Sequence, residues 1–409
     1  MGVISDNIAN VNTVGFRSSR ANFSDVLGGM LAGSRTGAGS RIGSVQTMFN
    51  EGSLLGTGNA TDLAISGNGF FMVSGAVNGI DGTYFSRAGQ FQMDENGMLV
   101  NPAGLRVQGY GLDASGNPGS TLGDLQIDSG TLPPVATTSV GIDANLDAAQ
   151  AVDPTPFDIN DPGATSDYQT SATVYDSLGN AHQLTMFFKK LQDAPTGQWE
   201  VHVATAGADV DPAVAQDFTE LGTGTLDFDT AGALSASSLG SVNVQWAGAA
   251  AAVINLDLGN ATGAGGNGVD GITSYAGASA ASFLEQDGSG TGELADFEIR
   301  PDGTVEGRYT NGETRSLGQV ATATFANVEG LERQGNALFR ATGESRDPLV
   351  GIPGTNGHGD IVAGTLEGSN VDLAQEFVTM IAVQRGFQSN SRSITTADEM
   401  LSELVNLKR

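Results

Sequence analysis

Cysteine is absent from the chain, so no disulfide, thiolate metal ligand or thiol nucleophile is available and redox roles are excluded. Lysine is nearly absent too. It occurs only at Lys189, Lys190 and Lys408, and the formal net charge is -28, a balance that repels phosphate backbones and argues against nucleic acid as a partner. Long hydrophobic runs are also missing. The longest, Trp246 to Ile254, falls well below the roughly 20 apolar residues that span a bilayer, so no membrane insertion is expected. The opening residues Met1 to Asp6 lack a basic segment followed by an apolar one and read as no ordinary secretory signal. Asp6, where a hydroxyl residue is required, excludes N-myristoylation.

What the sequence does have is glycine, 59 residues in 409, beside only 16% charged residues. That composition favours many short strands joined by turns over helices. Single cores stop growing near roughly 250 to 300 residues, so several cores are expected. The acidity by itself implies only solubility at high concentration.

The two ends read as helix, and nearly everything between them reads as strand and turn. From Asn370, expected as the N-cap, to Lys408 there is no proline and Gly386 is the only glycine, which predicts one long helix. Leu373, Met380, Phe387, Ile394 and Leu401 recur at seven-residue spacing, with Phe377, Gln384, Ser391, Asp398 and Val405 at the companion positions. One seam is apolar and its partner mostly polar. At the other end Ile4, Ile8 and Val11 follow the same four-then-three spacing, with Gly15 as the expected stop. After a Gly-rich passage from Gly28 to Gly43, alternating segments begin. Phe91 and Met93, the turn Asp94 to Gly97, and Met98 to Val100 predict a hairpin; Phe297 and Ile299, Pro301-Asp302-Gly303, and Val305 to Tyr309 predict another. Between them Thr170 to Tyr175, Gln183 to Phe188 and Trp199 to Val203 read as strands of an inserted β domain.

No catalytic, metal or cofactor set emerges. Gly263 to Gly268 fits GxGxxG formally, but no helix pattern follows to hold a pyrophosphate. His182, His202 and His358 lack metal-ligand spacing, and neither Asp94-Glu95-Asn96-Gly97 nor Asp302-Gly303 completes a calcium loop.

Asp6-Asn7-Ile8-Ala9-Asn10 with Thr13, Gly15, Phe16 and Arg17 resembles the N-terminal signature of the flagellar axial proteins, which build rod and hook. Family members carry Asn where Asp6 stands and further helical turns ahead of it, so this end is expected to be short for the family. Leu366-Glu367, Ser369-Asn370-Val371-Asp372-Leu373, Gln384-Arg385, Gln388-Ser389-Asn390 and Leu404-Val405-Asn406-Leu407 are similar to their closing helix. Asp62 to Ile65, Gly69-Phe70-Phe71 and Arg87 to Phe91 resemble the first β domain of rod and hook proteins, and residues 144–285 look like the outer domain that hook proteins insert and distal rod proteins lack.

The resemblance implies a mainly β, multidomain axial protein with nested β domains and coiled-coil-like terminal helices. Residues 1–20 and 365–409 would form the helical core, 21–54 and 360–364 an extended linker, 55–143 and 286–359 an inner β domain, and 144–285 an outer β domain. It implies a hook subunit that polymerises into a helical tube, bends while transmitting torque, and catalyses nothing. Its partners would be other copies, the rod, hook cap and hook-filament junction proteins, and the flagellar export apparatus. Polar Gln384, Ser391 and Asp398 would face a channel. A distal rod subunit and a secreted β-rich adhesin are the alternatives. Burying five seam residues stabilises by roughly 10 kcal/mol at 1.5 to 3 kcal/mol each. Ordering the helix costs about 1 to 2 kcal/mol per residue, so neighbouring copies are needed.

Overall fold

The computed structural model describes the whole chain except residues 32–33, 113–117, 128–129, 193–196 and 407–409. It is mostly strand, with a short N-terminal helix and a long C-terminal one. Two compact units account for it. The first comprises Met1–Ser129, Ala295–Arg308 and Thr314–Arg409; the second comprises Gly130–Leu294 and Tyr309–Glu313.

The first unit holds a large mixed-length sheet in which Arg106–Leu112, Phe70–Val77 and Ile80–Ser86 lie side by side. Phe70 to Val73 are all buried, so this strand has neighbours on both faces and reads as a continuous apolar run. Phe70, Phe85 and Phe339 form a core with Phe49 and Phe325 packed against it. Turn chemistry fixes both expected hairpins. Asp94 Oδ1 accepts from the N–H groups of Asn96 and Met98, while Gln92–Met93 pairs with Leu99–Val100. At the other, Gly303 takes a φ of 81° and its N–H donates to the Arg300 carbonyl at 2.8 Å.

A third hairpin carries strain. Gly335 pairs with Leu338, so Asn336 and Ala337 form a two-residue turn, with φ of 50° and 57°. Such turns favour glycine second because a Cβ is costly in left-handed geometry. Ala337→Gly is therefore expected to stabilise the protein by roughly 0.5 to 1 kcal/mol, net of the extra freedom it gives the unfolded chain. Urea unfolding of the two proteins measures it.

The second unit is built from two five-stranded sheets. One runs Tyr168–Tyr175, Ala181–Gln192, Gln198–Ala206, Phe218–Phe228, Leu234–Ser237, antiparallel throughout; in the other, Ser139–Asn145 pairs with both Ala251–Asp257 and Ala280–Gln286. Their inward side chains share one core that includes Trp199, Trp246, Val140 and Met186. Because Ser139–Asn145 and Ala280–Gln286 pair inside it, this unit is wider than the insert at 144–285 expected from the sequence. Its histidines pack: His202 stacks on Phe157 at 3.8 Å between ring centroids, and His182 on Trp246 at 4.0 Å. The unit's two lysines are buried, with Lys189 Nζ donating to Thr165 O and Lys190 Nζ to the carbonyls of Ala148 and Gln150.

Three local expectations are corrected. The linker region is no plain extended strand, since Ser19–Leu31 and Ser34–Thr47 pair as a long antiparallel hairpin. The N-terminal helix spans Gly2–Ala9, so Val11 lies in the following turn. Past Ala9 the chain leaves the helix, with the Val11 N–H donating to Ile8 O three residues back, while the Asn10 side chain donates to Asp6 O and accepts from the Thr13 hydroxyl. At the other end the helix is Leu373–Asn406. Its cap is Asp372, whose Oδ1 accepts from the N–H groups of Ala374 and Gln375, and not Asn370.

Candidate assembly surface

Both chain ends meet in the first unit, at a junction centred on Glu367. Gly15 makes the approach possible: its φ is 67°, and a Cβ there would stand 2.3 Å from the Ala88 nitrogen. Its N–H donates to the Glu367 carbonyl at 2.8 Å. The next residues, Phe16 and Arg17, are then buried. Arg17 Nη2 reaches Glu367 Oε1 at 2.7 Å, and Arg87 Nη1 reaches Glu367 Oε2 at 3.3 Å. The Gly52 N–H also donates to Glu367 Oε1, at 2.9 Å. Arg87 donates further to the carbonyls of Ile65 and Gly67. Burial holds its guanidinium below the ordinary value, and Glu367 opposes that shift.

Two asparagines complete the junction. Asn370, once expected as a cap, instead ties three segments: its Nδ2 donates to Met48 O and Asn50 O, and its Oδ1 accepts from the Ser18 N–H. Asn7 is the one buried residue of the N-terminal helix, while Ile4 and Ile8 on the same helix are half-buried, as is Val11 beyond it. Arg333 packs from the sheet side, its guanidinium 4.8 Å from the Phe16 ring centre. Of the quoted signature, Asn7, Gly15, Phe16, Asn370 and Asp372 thus have identifiable structural tasks. Ile8, Ala9, Asn10, Ser369, Val371 and Leu373 flank them.

Beyond this junction the C-terminal helix stands almost without contacts. Met380 is half-buried, but every described side chain from Ile381 to Glu403 is exposed. Phe387 is 75% exposed, Ile394 65% and Leu401 61%. Leu373 and Phe377 are exposed as well, as are Gln384, Ser391 and Asp398. Val405 lies in the helix, with only its backbone described. The single chain therefore separates no seam from a channel face. What it does show is a wider apolar surface than one heptad seam, because Val378, Ile381 and Val383 are exposed too. These three were legible as apolar residues close together, but lie off the seven-residue repeat.

The sequence reading also missed the hairpin's part. Phe23 and Ile42 are cross-strand partners and both exposed. Together with Val3, Ile4, Met48 and Val383 they line an apolar groove of about 550 Å³ at the helix base. Among the described residues no cluster of three or more His, Asp or Glu is placed to hold a metal ion. No described helix is long and apolar enough to cross a membrane.

Comparison with known proteins gives this arrangement a family. Residues 1–17 match the flagella basal body rod protein family, 64–145 the flagellar hook protein FlgE/F/G D1 domain, 145–289 the flagellar basal body protein FlaE D2 domain, and 362–407 the flagellar basal body rod FlgEFG protein C-terminal family. Flagellar hook protein FlgE of Salmonella typhimurium is 36% identical over all of this chain and 96% of its own length. The Escherichia coli K12 protein of that name is 35% identical and the Borreliella burgdorferi one 34%, with the same coverage. The crystal structure of Helicobacter pylori flagellar hook protein FlgE2 shares the fold at a TM-score of 0.54 and 17% identity, covering 76% of this chain and 100% of that one. With a mainly β body, terminal helices meeting at one junction and relatives of this similarity along its full length, the chain belongs to the flagellar hook protein FlgE family, the structural subunits of the bacterial flagellar hook.

Proposed function

We propose that this subunit polymerises through its terminal helices into the flexible tube of the hook, which transmits motor torque and passes export substrates along its channel. The observation that carries the reading is the C-terminal helix, whose apolar residues Phe387, Ile394 and Leu401 are exposed on a single chain. A helix with such a stripe needs a partner to bury it, and copies of the same chain supply one in a homopolymer. The seam of Leu373, Phe377, Met380, Phe387, Ile394, Leu401 and Val405 packs on neighbouring copies and on the Ile4, Ile8 and Val11 segment. Gln384, Ser391 and Asp398 line the channel, where unreactive polar groups avoid trapping unfolded chains in transit. Rod, hook cap and hook-filament junction proteins adjoin the polymer's ends, and the subunit leaves the cell through the flagellar export apparatus. No catalytic role is assigned.

Electron microscopy of the purified chain under polymerising conditions tests this. Tubes of hook-like form are expected; globular particles alone at high concentration contradict it. Within the subunit, residues 1–20 and 365–409 form the axial core, 21–54 and 360–364 the connection, and the rest of the first unit the inner domain. Residues 144–285, with the strands flanking them, form the outer domain. Trypsin checks that the outer domain is folded: Lys189 and Lys190 are the only lysines or arginines between Arg106 and Arg300, and both are buried. In the folded chain neither lysine should be cleaved, so the stretch from Arg106 to Arg300 should stay in one piece. Rapid cleavage at Lys189 or Lys190 contradicts a folded outer domain.

A further inference from the structure

We propose that Asn7 is a positioning residue for assembly, acting through Glu376 to set the direction in which the C-terminal helix leaves the body. The inference rests on reading that helix as the assembly surface. Asn7 is 1% exposed, and all its polar atoms are used. Its Nδ2 donates at 2.8 Å to the Ser19 carbonyl and at 2.8 Å to Glu376 Oε1, while its Oδ1 accepts from the Ser19 N–H at 2.8 Å. The side-chain amide thus pairs with both backbone groups of Ser19 as a neighbouring strand would, and turns its second N–H to the C-terminal helix.

Three segments are pinned by this one group. Ser19 opens the long hairpin and pairs with Thr47, its hydroxyl accepts from Arg333 Nη1 at 2.8 Å, and Glu376 sits in the first turn of Leu373–Asn406. An apolar contact tolerates sliding, whereas a buried amide with fixed donors and an acceptor specifies one register. Leu401 lies 25 residues beyond Glu376, or about 38 Å along a helix rising 1.5 Å per residue. A tilt of about 10° at the base moves that end by roughly 6 to 7 Å, more than the 4 to 4.5 Å within which apolar side chains count as touching. Small looseness at Asn7 therefore misplaces the whole distal seam. Aspartate cannot substitute, since it lacks the donors that both Ser19 O and Glu376 require.

The test is a double-mutant cycle on the full chain, reading the critical concentration for polymerisation by sedimentation. Asn7→Ala should raise it at least tenfold and Glu376→Ala several-fold, with the double variant no worse than Asn7→Ala alone. Glu376→Gln keeps the acceptor and should polymerise as the unaltered chain does. Multiplying effects in the double variant, or equal failure of Glu376→Gln and Glu376→Ala, overturn the proposal. Absence of polymer from the unaltered chain counts against the assembly reading instead. In that case spin labels at Thr83→Cys and Ala382→Cys, the second past the pivot at Glu376 and both unambiguous in a chain without cysteine, decide positioning alone. Asn7→Ala should broaden their distance distribution, and an unchanged width overturns the proposal.

Discussion

Replacing Phe387 with aspartate is expected to abolish polymerisation while leaving both β units folded. Phe387 is 75% exposed on the single chain, so the substitution removes no internal packing and places a charge in water. On the proposed assembly the same position lies in a packed seam of the polymer. There an unpaired carboxylate costs several kcal/mol of desolvation, and the apolar burial of a phenylalanine, about 1.5 to 3 kcal/mol, is lost as well. Those costs recur at each copy along the tube. Sedimentation should find monomer at concentrations where the unaltered chain forms tubes, with superimposable thermal unfolding of the two proteins. Normal tubes from the variant contradict the seam assignment.

The largest effect on stability is expected at Glu367. Its carboxylate is fully buried between Arg17 and Arg87, and Glu367→Ala takes from both guanidinium groups the carboxylate they share. Breaking a buried ion cluster by removing one member costs about 3 to 5 kcal/mol, far above the surface ion pairs of this chain. Arg106 to Asp124, with the arginine side chain 56% exposed, is such a surface pair, and Arg106→Ala should cost under about 1 kcal/mol. Denaturant unfolding should show the first unit losing stability in Glu367→Ala while the second unit unfolds as before. A loss below about 1 kcal/mol contradicts the role given to the cluster.

What the sequence made legible follows the range of the interactions involved. The Asp94 to Gly97 and Pro301 to Gly303 hairpins were visible because an Asx turn or a left-handed glycine is chosen by residues two to four apart. The long C-terminal helix was visible from its period and from the absence of proline. Its cap was misplaced by two residues, since Asn370 and Asp372 are equally good caps locally and only the carbonyls of Met48 and Asn50 draw Asn370 away. The Ser19–Leu31 and Ser34–Thr47 hairpin was hidden by its glycines, which blur alternation and suggest a loose passage. The Glu367 cluster was illegible for a different reason. Its arginines lie 350 and 280 residues from it along the chain, and no spacing rule connects them. The motif residues were recognisable by resemblance, but the bonds that explain Asn7, Gly15 and Asn370 required the fold.

One correction bears on assembly. The sequence implied that the C-terminal helix is ordered by neighbouring copies, yet its start is tied to the body through Asn370, and the N-terminal helix is held at Asn7. What remains without neighbours is the helix beyond Val383. Amide hydrogen exchange of residues 384–406, compared between dilute chain and polymer, addresses this directly. Exchange near the free-peptide rate in the dilute chain, with strong protection in the polymer, is the predicted result. Equal protection in both states contradicts it, because the distal helix would then be stable without its copies.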